Sequence, residues 1–144
     1  MLKTESKFSP DAIELIWSEL NKEAKLWSIS EPALEKLFQK TILDQKSFKA
    51  GMTEVIASEL SADDKDYIPI HEAASEAFNN DPFLEEAAAA DLCATLERDP
   101  ACHSYLKPFL FYKGYQAIQA YRLANWLWHE GRKVLAEFVQ GRAS

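Results

Sequence analysis

The 43 residues from Arg98 to Gln140, RDPACHSYLKPFLFYKGYQAIQAYRLANWLWHEGRKVLAEFVQ, restrict the fold of this chain more than any other stretch. From Pro108 to Glu130 they read as one helix, about 35 Å long at ~1.5 Å per residue. Pro108 stands where a first-turn proline is tolerated and Gly131 where a helix stops. Seven residues of this span are aromatic: Phe109, Phe111, Tyr112, Tyr115, Tyr121, Trp126 and Trp128. The polar residues Lys113, Gln116, Gln119, Arg122 and Asn125 recur at every third position. Each such step falls about 60° short of a full turn, so they walk round the helix and leave no single solvated stripe. A helix of this kind meets different neighbours along its length, and it is expected to be the most buried element.

The rest of the chain supports an all-α, bundle-like domain. Only four glycines occur, and no alternating β-branched run is present. Pro10, Pro32, Pro69, Pro82 and Pro108 each stand at the start of a helical pattern. The first helix opens at Ser9-Pro10 and keeps Ile13, Ile16, Trp17, Leu20, Ala24 and Trp27 on one face. Ser30 is the expected N-cap of a second helix, with Leu34, Leu37, Phe38 and Ile42 inward. Ser47 caps a third, striped by Phe48, Met52, Val55, Ile56 and Leu60. After the polar break Ser61-Ala-Asp-Asp64, a fourth helix is expected from Pro69, with Ile70, Ala73, Ala74, Ala77 and Phe78 inward. Asp81-Pro82 opens a fifth, whose inner face is Leu84, Ala88, Leu92 and Leu96. A last short helix spans Arg132 to Arg142. The ending Gly141-Arg-Ala-Ser144 has the look of a cut in a longer chain.

A net charge of −7 argues against nucleic acid or an anionic membrane as partner. No uncharged apolar run reaches the ~20 residues of a membrane span, and MLKTESKF lacks the apolar core of a signal peptide. Cys93 and Cys102 lack CxxC spacing and read as two thiols of a cytoplasmic protein. His71, His103 and His129 form no HxxxH pair, and no phosphate-cradling loop, GxSxG elbow or zinc-ligand spacing occurs. Arg122 calls for a carboxylate, and Asp91 on the alanine-rich face is the expected partner. Asp99 follows a helix end and precedes a proline, so its backbone is driven into an extended or turn conformation. On such a corner its carboxylate caps the next turn or is offered to a ligand. The residues alone describe a helical domain without a self-contained active site.

Ala87 to Ala101 and Pro108 to Gln140 resemble the N-terminal helical domain of the serine O-acetyltransferases. The specific pieces are Arg98-Asp99-Pro100-Ala101, Lys113-Gly114, Gln119-Ala-Tyr-Arg122, Trp126-Leu-Trp128 and Gly131-Arg132. Glu14-Leu15-Ile16-Trp17, the Ala24 region, Glu31-Pro32 and Asp81-Pro82 follow the same order more loosely. The resemblance implies a domain that precedes a left-handed β-helix of hexapeptide repeats, in an enzyme that moves an acetyl group from acetyl-CoA to L-serine at the start of cysteine synthesis. A histidine–aspartate pair on that β-helix supplies the general base. This sequence holds no hexapeptide repeat, and His129 does not match the catalytic histidine. For these residues the resemblance implies no catalytic group, no metal and no cofactor. It implies one substrate contact, Asp99 to serine, and self-assembly into trimers and hexamers. The tail that docks on a sulfhydrylase partner is not in this sequence. The expected assembly surface is the first helix, around Ile13, Trp17 and Leu20. An autonomous helical interaction module is the alternative.

Overall fold

The structure, a computed structural model, describes residues 8–144. The reading of MLKTESKF as lacking a signal-peptide core lies, apart from Phe8, outside the described residues. Among the described residues there are eight α-helices and no strand: α1 (Pro10–Ser30), α2 (Glu35–Phe38), α3 (Phe48–Leu60), α4 (Asp64–Asn80), α5 (Pro82–Arg98), α6 (Leu106–Phe111), α7 (Lys113–His129) and α8 (Lys133–Ala143). None is long and apolar enough to cross a membrane.

Local chemistry explains most of the starts. Ser9 Oγ accepts from Ala12 N at 3.2 Å, Ser47 Oγ from Ala50 N at 3.3 Å, and Asp81 Oδ1 from Phe83 N at 3.0 Å. Each satisfies an amide that the first turn leaves unpaired. Ile13, Ile16, Trp17, Leu20 and Ala24 of α1 are buried, as are Ile70, Ala73, Ala74, Ala77 and Phe78 of α4. Those stripes are as the periodicity predicts.

Five expectations are corrected. Ser30 caps nothing: α1 runs through it, and a 3-10 turn Pro32–Leu34, then α2, then a π turn Gln39–Leu43 follow. Leu34 is left exposed as a result. Helix α4 begins at Asp64, not at Pro69. Asp63 Oδ1 accepts from Lys65 N at 2.9 Å and Asp66 N at 3.2 Å, and Asp64 and Asp66 suit the positive helix end, which outweighs the bond lost at Pro69. Ile13, Trp17 and Leu20 cannot be an assembly surface, because the core of the chain itself consumes them.

The span from Pro108 to Glu130 is not one helix. It breaks at Tyr112, whose backbone is extended (φ −89°, ψ 104°). The break frees carbonyls at the end of α6, and the Gln116 side chain takes two of them: Nε2 donates to Leu110 O at 2.7 Å and Phe109 O at 3.3 Å. The spiral of polar residues therefore has a physical use. Gln116 and Gln119 are buried hydrogen-bonding groups, whereas Lys113 and Asn125 face solvent. As expected, α7 meets different neighbours along its length: α3, α4, α5, α6 and α8.

The most buried element is α3, with nine of its 13 residues buried against seven of 17 in α7. At Gly51 an added Cβ would stand 2.7 Å from the Trp17 ring, so the absence of a side chain sets how closely α1 approaches. Glu54 is buried too, accepting from Tyr67 Oη and from Ser58 Oγ at 2.6 Å, with Lys40 Nζ at 3.4 Å. Phe48 meets Phe109 edge-on at 5.5 Å, which ties α6 to this centre. Gly131, at φ 82°, closes α7 and turns the chain into α8.

Candidate functional site

The corner between α5 and α6 holds the one acid that the sequence singles out. Asp99 ends α5, donating its N–H to Thr95 O at 3.1 Å, and Pro100 keeps it extended (φ −113°, ψ 95°). Its Oδ1 accepts from Ala101 N at 3.0 Å, an Asx turn, and its carbonyl accepts from Cys102 N at 2.9 Å. The carboxylate thus caps its own turn. It does not cap α6, which starts seven residues later. Its second oxygen, Oδ2, is reached by Tyr112 Oη at 3.4 Å.

Tyr112 comes to this corner because of the helix break. The Cys102 thiol beside it, then burial, then the Asp99 carboxylate raise its phenol to about 12, so at neutral pH it stays a donor. Cys102 is itself buried, with Sγ donating to Ser104 O at 3.3 Å.

A second carboxylate builds the same corner from the other side. Glu23 of α1 accepts from Tyr105 N and Leu106 N, both at 3.1 Å, and from Ser104 Oγ. Ser104 Oγ accepts in turn from Leu106 N at 3.1 Å and Lys107 N at 3.3 Å. The N-terminus of α6 is capped by a serine and by a charge on α1, 81 to 83 residues away in sequence. Ser104 was findable as an N-cap before an apolar run. Glu23 carried no local signal, and neither did Tyr112, which the periodicity hid inside a helix.

The remaining polar residues are placed as follows. Arg122 Nη1 donates to Asp91 Oδ2, the expected pair, and to Gln119 Oε1 at 2.9 Å, and Gln119 Nε2 donates to the same Asp91 oxygen at 3.0 Å. This is a closed triangle joining α5 to α7. His71 lies against the Tyr67 ring at 5.5 Å with the planes tilted by 34°, His129 is exposed near the end of α7, and His103 is exposed beside Glu23 and Lys107. Burial pushes the Cys93 thiol up, away from the reactive thiolate. No group of three or more His, Cys, Asp or Glu side chains able to hold a metal ion occurs among the described residues.

Chemically, the corner offers a carboxylate whose nearest side-chain partner is a protonated phenol. An ionised carboxylate has about four acceptor positions. Asp99 uses one on Ala101 and one, loosely, on Tyr112, so it retains capacity for an ammonium or hydroxyl donor.

Residues 16–120 match the family model described as serine acetyltransferase, N-terminal. A serine acetyltransferase of Escherichia coli (strain K12) is 35% identical over 136 residues, 94% of this chain and 50% of that protein. The crystal structure of serine acetyltransferase from Vibrio cholerae O1 biovar El Tor superposes with a TM-score of 0.88 at 41% identity, over 92% of this chain and 52% of that one. A soybean serine acetyltransferase solved with serine gives 0.88 at 36% identity, over 94% and 56%. The chain spans about half the length of the relatives it matches. The family match and the helical fold agree: this chain belongs to the serine acetyltransferase N-terminal family.

Proposed function

We propose that residues 1–144 are the helical N-terminal domain of a cytoplasmic serine O-acetyltransferase, which transfers the acetyl group of acetyl-CoA to L-serine in cysteine synthesis. In that reaction the serine hydroxyl oxygen attacks the thioester carbonyl, the hydroxyl proton passes to a general base, and coenzyme A leaves as the thiol. Base and coenzyme site belong to a following β-helix domain. The present residues contribute one contact, Asp99, and a surface for self-assembly into trimers or hexamers. Docking on a sulfhydrylase belongs to a C-terminal tail of the longer enzyme.

The observation that carries the role of Asp99 is its half-satisfied carboxylate on a backbone fixed by the preceding helix and the following proline. Such a group orients serine through its ammonium or hydroxyl without accepting the proton itself. Assembly is favoured by the outward face of α1, where Leu15, Leu26 and Ile29 remain exposed after the core is filled. The same face would suit an oligomerisation module that takes no part in chemistry.

Steady-state kinetics of Asp99→Asn in the full-length acetyltransferase separate the two readings. Loss of a charge-assisted hydrogen bond predicts a fall of about ten- to a hundredfold in serine kcat/KM, with the acetyl-CoA KM unchanged. Unaltered serine kinetics would leave the assembly reading alone. The 144-residue chain by itself is expected to release no serine-dependent thiol from acetyl-CoA.

A further inference from the structure

We propose that Tyr112 is a positioning residue for Asp99, one that fixes the plane in which the carboxylate meets its amino-acid ligand. This inference rests on the reading of Asp99 as a serine contact and adds a second residue to that site.

Three observations meet at this point. First, the helical path is interrupted at one residue, Tyr112, between α6 and α7, and the extended backbone there brings its phenol to the α5 corner. Second, the two oxygens of Asp99 face donors from different parts of the chain: Oδ1 accepts from the Ala101 amide of its own turn at 3.0 Å, and Oδ2 lies 3.4 Å from the Tyr112 hydroxyl thirteen residues on. One tether leaves a carboxylate free to rotate about its last bond. Two tethers define its plane and aim the remaining lone pairs in one direction. Third, the Cys102 thiol, burial and the Asp99 carboxylate raise the phenol to about 12, so it stays protonated and acts toward the carboxylate as a donor.

The 3.4 Å separation is long for an O–H···O bond, which leaves room for it to shorten once a cationic or hydroxylic ligand orders the carboxylate. Glu23 lies on the other side of the corner and its three donors come from residues 104–106, so it does not compete for the phenol. The ligand class that suits the result is a small amino acid presenting an ammonium or hydroxyl to an oriented carboxylate. Tyr112 itself need not touch it.

The test is Tyr112→Phe in the full-length acetyltransferase, beside Asp99→Asn and the double variant. Loss of one neutral donor to a carboxylate predicts a serine KM raised about three- to tenfold, with kcat and the acetyl-CoA KM within about twofold. The double variant should be no worse than Asp99→Asn alone, because the phenol acts only through that carboxylate. If Asp99→Asn is silent, the reading of Asp99 fails and takes this inference with it. If Asp99→Asn weakens serine but Tyr112→Phe does not, or the two losses multiply independently, the positioning role alone is overturned. Should the phenylalanine variant melt early, the same kinetics are run at a temperature at which it is fully folded: a raised serine KM there supports the proposal, and an unchanged one overturns it.

Discussion

Glu23 and Asp99 flank the same corner and carry the same charge, yet their surroundings differ in the way that separates a structural acid from an available one. Glu23 receives two backbone amides and a serine hydroxyl, all at the start of α6, so its acceptor positions are spent on holding that helix to α1. Asp99 receives one amide from its own turn and a long contact from a phenol. Glu54 repeats the first pattern at the centre of α3, where Tyr67, Ser58 and Lys40 surround it. The two acids differ not in charge or location but in unspent hydrogen-bonding capacity on a rigid backbone, which Asp99 keeps and Glu23 does not. Saturated carboxylates should report on stability, and the open one on ligand.

The largest effect is expected at Glu23. Glu23→Ala leaves two amides and a hydroxyl of the α6 start without their charged acceptor, and should cost about 3 kcal/mol of stability. For a chain of this size that lowers Tm by about 6–12 °C, measurable by calorimetry. A Tm within a degree of the parent would break the distinction.

The next effect is read by pH. Burial, then the hydrogen bond to Glu54 and the charge of that carboxylate, push the Tyr67 phenol up to about 12, against 10.0 for an unperturbed tyrosine. Between those values the unfolded chain has lost a proton that the folded chain retains. The contribution is therefore fully present below pH 10 and lost as pH rises toward 12. The shift corresponds to about 2 kcal/mol after allowance for partial exposure. Urea midpoints should fall over that window, and less steeply in Tyr67→Phe. Equal slopes would show that Glu54 is not held as described.

The smallest stability effect is expected at Asp99. Asparagine also closes an Asx turn, so Asp99→Asn should change stability by less than about 0.5 kcal/mol while serine kinetics collapse in the full enzyme. A large drop in Tm would move Asp99 into the class of Glu23 and remove the contrast.

Much of the fold was legible because its determinants are local. The stripes of α1 and α4 follow from spacing, Asp81-Pro82 and Ser47 announce helix starts, and Arg122 named its partner Asp91 by needing one. The errors at Tyr112 and α3 share an origin. Tyr112 sits in an unbroken helical pattern of apolar and polar residues, and nothing nearby requires it to be extended. The break holds because Gln116 satisfies the carbonyls of α6 and because Glu23, far away in the chain, caps the other end of that helix. The rank of α3 as the central helix was hidden for a similar reason. Its stripe looked ordinary, and burial of Gly51, Thr53 and Glu54 depends on what α1 and α4 bring against them.

By itself, then, the sequence determined the helical class, most of the core stripes, the family to which the chain belongs, and Asp99 as the acid to examine. Periodicity, capping and motif spacing are properties of neighbours along the chain, and these were sufficient. Only the tertiary structure decided that the aromatic stretch is two helices, that Tyr112 meets Asp99, and that Glu23 is spent while Asp99 is not. Those outcomes depend on hydrogen bonds and burial supplied across separations of 6 to 83 residues, where adjacency in sequence carries no information about which donor reaches which acceptor.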